Sequence, residues 1–103
     1  KTTFVKYFIN NLQLKSNNKL TEVTSPTFNI MNEYIIENFV VKHYDLYRLK
    51  SSNELKDLNL FENNDDILCI EWPEIIKEEP SSIKKLYFEY KNDFKNRFLK
   101  IIN

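Results

Sequence analysis

Two extended runs of this chain each end in a carboxylate. Glu71 follows the four apolar residues Ile67–Ile70, and Asp45 follows Phe39–Tyr44. Open α/β sheets bind ligands just beyond the carboxyl ends of their strands. Two acids delivered to that edge suit a metal, a phosphate-bound metal or an activated water. Placed inside a core, Glu71 would carry a large desolvation cost, so it is expected to face a polar crevice at the sheet edge. There it could orient the attacking water in phosphoanhydride hydrolysis. Asp45 at its strand end could hold Mg²⁺ directly or through water. The plainer alternative for Asp45 is a surface ion pair with Arg48, worth little. Arg48 is one of only two arginines in a lysine-rich chain, which favours a planar, bidentate role that lysine cannot fill.

Lys1-Thr2-Thr3 stands directly ahead of an amphipathic stretch. Those residue types match the close of the phosphate-binding G-x-x-x-x-G-K-[ST] loop: Lys on the β- and γ-phosphates, a hydroxyl on Mg²⁺, helix amides facing the anion. The glycines of such a loop are not in the sequence, which contains none. Ser25-Pro26-Thr27 offers two hydroxyls on a stiff segment that could sense a γ-phosphate; the alternative is an ordinary turn. Trp72 could stack on a base or a partner, or be a half-buried structural residue. His43 has no second His or Cys at ligand spacing, which argues against a metal centre there.

The elements that must position these residues follow from periodicity. Phe4, Val5, Phe8, Ile9 and Leu12 predict a helix of about three turns from Thr2 or Thr3. Asn17-Asn18 takes the place of a glycine turn, and Thr21–Phe28 is extended ahead of a hairpin, Asn29–Ile36 and Phe39–Asp45, turning at Glu37-Asn38. Ser51-x-x-Glu54 is a capping box opening a short helix. Ile67–Glu71 reads as a buried strand ended by Pro73. Alternation at Leu86, Phe88 and Tyr90, a turn at Asn92-Asp93 and the run Phe98–Ile102 predict a final strand pair.

Composition bounds the rest. The 103 residues suffice for a single domain, and 42% apolar content is globular. Zero net charge offers no general pull toward nucleic acid or anionic membrane. Cys69, the sole cysteine, allows no internal disulfide and reads as a core residue. No apolar run approaches the ~20 residues of a membrane span, and a reducing cytosol fits.

In order along the chain, KTTF (1–4), VTSPTFNIMNEY (23–34), HYDLYRL (43–49), the segment from Glu54-Leu55 to Leu60, and IEWPE (70–74) resemble the TsaE (YjeE) family of bacterial P-loop ATPases. The resemblance covers nearly the whole chain, including the C-terminal hairpin with Arg97. It implies an α/β, P-loop NTPase-like three-layer domain over residues 1–103, with a mixed β-sheet and a C-terminal β-hairpin. It also implies a cytoplasmic, Mg²⁺-dependent ATPase that supports the proteins TsaB and TsaD in tRNA threonylcarbamoyladenosine (t6A) modification, meeting tRNA only indirectly. By position, Lys1 and Thr3 would contact phosphate, Thr2 would ligate Mg²⁺, and Ser25–Thr27 would form a switch-like loop. Asp45 would be the Mg²⁺-side acid, Glu71 the catalytic carboxylate, and Trp72 would lie beside the nucleotide or partner. The family's G-x-x-G-x-G run and first strand would precede Lys1, so residues 1–103 alone are expected to bind ATP poorly. Alternatives are a docking subunit that binds TsaD without hydrolysis, or a phosphotransferase using the same site.

Overall fold

A computed structural model of the chain describes residues 2–37, 39–62, 65–77, 85–90 and 97–102. The first helix, α1 (Thr2–Lys15), is followed by strands β1 (Met31–Ile36) and β2 (Phe39–Asp45). Helix α2 (Ser52–Asp57), strand β3 (Ile67–Glu71), a single 3₁₀ turn at Pro73–Ile75, and strands β4 (Lys85–Tyr90) and β5 (Arg97–Ile102) complete the order. β1, β2 and β3 form one mixed sheet in that order, β1–β2 antiparallel and β2–β3 parallel. β4 and β5 form a separate antiparallel pair, Lys85 opposite Ile102. The small α/β domain with a mixed sheet and the paired C-terminal strands match expectation; Lys1 and the Asn92-Asp93 turn lie outside the described residues.

Alternation along the strands divides the sheet into two faces. Val41 and Ile36, with Phe39, Ile67 and Cys69, pack against Val5 and Ile9 of α1. Tyr44 on the opposite face, with Leu68 and Ile70, belongs to a second cluster that includes Leu46, Leu60, Leu55 of α2 and Leu58 at its C-cap. α1 therefore covers one face, and Leu55 of α2 packs at the other. Ile9 is fully buried at the centre of the first cluster. Ile9→Ala should lower the unfolding free energy by about 2–5 kcal/mol, the usual cost of such a cavity, as read from urea denaturation.

The turn chemistry is managed without glycine. α1 ends where Asn17 adopts φ 56°, and Asn18 N–H donates to the Gln13 carbonyl at 2.8 Å. Asparagine tolerates this left-handed cap better than most residues. Ser51 caps α2, accepting from the Glu54 amide at 3.3 Å, but the Glu54 carboxylate reaches the Lys50 amide at 3.4 Å instead of completing the reciprocal bond to Ser51.

Two expectations need correction. The first strand begins at Met31, not Asn29, because Ile30 takes φ 69°. A branched residue in that region is strained, and the segment is held by Ile30 N–H to the Pro26 carbonyl (2.6 Å) and Asp45 N–H to the Ile30 carbonyl (2.9 Å). The residues Ile67–Ile70 are half-buried, not buried, because β3 is the last strand of the described sheet.

Candidate functional site

Parallel pairing of β2 with β3 sets Asp45 directly opposite Glu71, and His43 opposite Cys69. Residues two apart on a strand share a face, so His43, Asp45, Cys69 and Glu71 line one column on the side covered by α1. The apolar part of that column is core; its carboxyl end is two acids, both buried.

Each acid is fully engaged by neighbours. Thr2, in the first turn of α1, donates its hydroxyl toward Glu71 Oε1 and Oε2 at 3.2 and 3.1 Å. His43 Nε2 lies 2.6 Å from Glu71 Oε2. Asp45 Oδ2 accepts from the Thr27 hydroxyl at 3.1 Å, and Oδ1 from the Tyr47 amide at 3.0 Å. Ser25 Oγ stands 2.7 Å from Thr27 Oγ1, so the Ser25–Thr27 segment reaches Asp45 through a chain of hydroxyls. Thr2, Ser25, Thr27, Asp45 and Glu71 thus converge on one end of the sheet. Thr3 is exposed on α1.

The aromatic rim is formed by residues around these acids. Trp72 directly follows Glu71 in a left-handed conformation, φ 58°, and its ring lies 4.9 Å from that of Tyr47. Ile30 and Trp72, two of the five left-handed residues among those described, flank the two acids in this way. Strain of this kind collects where surrounding structure must aim a functional group. Arg48 sits over the Phe28 ring, 5.0 Å from its centroid. No Asp45–Arg48 ion pair forms among the described residues, so that plainer reading of Asp45 fails.

Electrostatics set the state of Glu71. Burial pushes its carboxyl up, but the hydrogen bond and charge of His43 together with the Thr2 hydroxyl outweigh burial and hold it below the ordinary 4.5. A carboxyl depressed on folding contributes stability that is present above its unfolded value and is lost as pH falls through the folded one. Urea unfolding followed from neutral pH down through 4.5 should show a loss of stability on the acid side. Glu71→Gln should flatten that part of the slope; an unchanged slope would refute the assignment. Cys69 is half-buried, its thiol pushed up to about 11 by burial and by the charge of Glu71, which leaves it inert.

The donor chemistry fits a magnesium-class ion. Such an ion takes hard oxygen ligands, usually one or two carboxylates, with the rest supplied by water and substrate phosphates. Thr2 and Asp45 are oxygen donors of this kind at one end of the sheet. No group of three or more His, Cys, Asp or Glu that could hold a metal by itself occurs among the described residues.

His43 is the residue that sequence reasoning passed over. Ligand spacing addresses it only as a metal ligand, whereas its contact here is a hydrogen bond to an acid 28 positions away. The available signal was its place two residues before Asp45, on the same strand face.

Comparison with known proteins gives a consistent picture. The family model described as "Threonylcarbamoyl adenosine biosynthesis protein TsaE" matches residues 1–99. Curated proteins named tRNA threonylcarbamoyladenosine biosynthesis protein TsaE match as well. The one from Rickettsia felis is 50% identical over 58 residues, 55% of this chain and 34% of that protein. The one from Borreliella burgdorferi is 40% identical over 78 residues, 73% of this chain and 53% of its own length. The Bacillus subtilis protein is 32% identical over 79 residues, 77% and 47% of the two chains. These matches span about half or less of the relatives' length.

Proposed function

The chain belongs to the TsaE family, and from that premise we propose that it is the nucleotide-handling part of a protein of tRNA threonylcarbamoyladenosine biosynthesis. Its reaction is hydrolysis of ATP to ADP and phosphate, performed in the cytoplasm in support of TsaD and TsaB. The observation that carries this reading is the pairing of Asp45 with Glu71 at the carboxyl ends of two parallel strands, with Thr2 of α1 bonded to Glu71.

Each residue then has a definable task. Glu71 orients water toward the terminal phosphorus and takes its proton as the new phosphorus–oxygen bond forms and ADP leaves. His43 and Thr2 keep that carboxyl ionised and ready to accept. Thr2 and Asp45 are the residues that would hold Mg²⁺, whose chemistry is to neutralise charge on the phosphate oxygens. Lys1 and Thr3 contact phosphate, and Ser25 and Thr27 couple the switch-like loop to Asp45. Trp72, with Tyr47, borders the nucleotide or the partner surface. Zero net charge supports contact with tRNA through partner proteins and not directly. No helix among the described residues is long and apolar enough to cross a membrane.

The test is replacement in living cells. Bacteria depleted of their own TsaE-family protein should regain t6A in their tRNA, read by nucleoside mass spectrometry, when given the full-length protein containing these residues. The Glu71→Ala form should fail. Full modification with Glu71→Ala would instead support a docking role without hydrolysis, and stable phosphate transfer to an acceptor other than water would support a phosphotransferase.

A further inference from the structure

His43 is fully buried, on the α1-covered face of the sheet between apolar Val41 and Asp45. An imidazole in such a place has two ring nitrogens to satisfy. Nδ1 has no hydrogen-bond partner among the described residues. Among the described residues, the one polar interaction of the ring is therefore the 2.6 Å contact of Nε2 with Glu71 Oε2. A side chain kept for packing alone would be better replaced by an apolar residue, which leaves no nitrogen unpaired.

The register explains how the contact arises. His43 is opposite Cys69, so Glu71 is its diagonal neighbour, two residues further along β3 on the same face. Thr2 bonds both carboxylate oxygens from α1 while His43 bonds one from within the sheet. Held by groups from two separate elements, the carboxylate has little freedom to turn about its final torsion.

We infer that His43 is a positioning residue for Glu71: it fixes the carboxylate's orientation through Nε2 and does not itself touch substrate. The inference rests on the ATPase reading above and adds to it a residue outside the phosphate-binding set. An acid that must meet a water within a fraction of an ångström loses rate when its supporting contact is removed, as with orienting partners elsewhere.

The experiment uses the full-length protein and two readouts. In steady-state ATP hydrolysis, His43→Leu should lower kcat about 10–100-fold with little change in KM for ATP. His43→Gln, which keeps an N–H donor at similar reach, should recover much of that loss. A purely structural His43 predicts the reverse order, Leu at least equal to Gln. The second readout is the proton NMR spectrum of the ligand-free protein. It should contain a far-downfield ring N–H resonance from His43 that moves upfield in Glu71→Gln. Absence of that movement would overturn the contact itself, whether or not His43→Leu folds. If Glu71→Gln abolishes hydrolysis while His43→Leu keeps kcat, the ATPase reading stands and this inference falls. If Glu71→Gln hydrolyses ATP normally, Glu71 is not the catalytic acid and the inference falls with that role; if the unaltered full-length protein does not hydrolyse ATP, the ATPase reading itself falls.

Discussion

Glu71→Gln should reduce steady-state ATP hydrolysis by the full-length protein about 10²–10⁴-fold, the range for losing a positioned general base. That corresponds to about 3–5 kcal/mol of transition-state stabilisation at ~1.4 kcal/mol per tenfold. The substitution is nearly isosteric and keeps the local bonding intact. The amide oxygen can still accept from His43 Nε2, and the Thr2 hydroxyl, which can both donate and accept, can reverse toward the amide N–H. What disappears is the negative charge and the capacity to take a proton. The effect should therefore fall on kcat, with KM for ATP changing little, and phosphate release at saturating ATP and Mg²⁺ measures it. Undiminished hydrolysis would show that Glu71 is a structural partner of His43 and Thr2 and nothing more.

Much of this site was legible in the sequence because it depends on local rules. A carboxylate that ends an apolar strand is visible from the pattern alone, and both Asp45 and Glu71 lie where that pattern puts them. The asparagine turn after α1 and the Ser51 cap are local chemistry too, and both form. What local pattern does not contain is register. That Asp45 meets Glu71 and His43 sits diagonal to it depends on how β2 and β3 are aligned across the intervening 21 residues between Asp45 and Ile67. A one-residue slip would have put His43 and Glu71 on opposite faces. Backbone strain was equally hidden. Ile30 and Trp72 have side chains that disfavour positive φ, so their conformation reflects tertiary contacts overriding preference. Arg48 was expected in a bidentate pairing, and it lies over Phe28 instead. The planar cation suits that face as well as it would suit a carboxylate, and its scarcity in the chain could not distinguish the two.

Asp45→Asn should raise the Mg²⁺ concentration needed for half-maximal ATP hydrolysis by about 10–100-fold, with partial recovery of rate at high Mg²⁺. The reasoning separates what the charge does from what the hydrogen bonds do. The Asn oxygen can keep the bond from the Tyr47 amide, and the Ser25–Thr27 hydroxyl pair can reverse its donors so that Thr27 accepts from the new N–H. Loop position should thus be retained while one unit of negative charge at the ion-holding edge is lost. Asp45→Ala provides the contrast: it strips acceptors from both the Tyr47 amide and the Thr27 hydroxyl. That should cost about 0.5–1.5 kcal/mol of stability for each hydrogen bond lost, and loosen the segment that Ile30 already holds under strain. If Asp45 serves only to anchor that segment, Asn should leave the Mg²⁺ dependence unchanged and Ala alone should impair the protein. If it holds the ion, Asn should shift the Mg²⁺ curve at nearly unaltered stability, because only the charge distinguishes it from the native side chain.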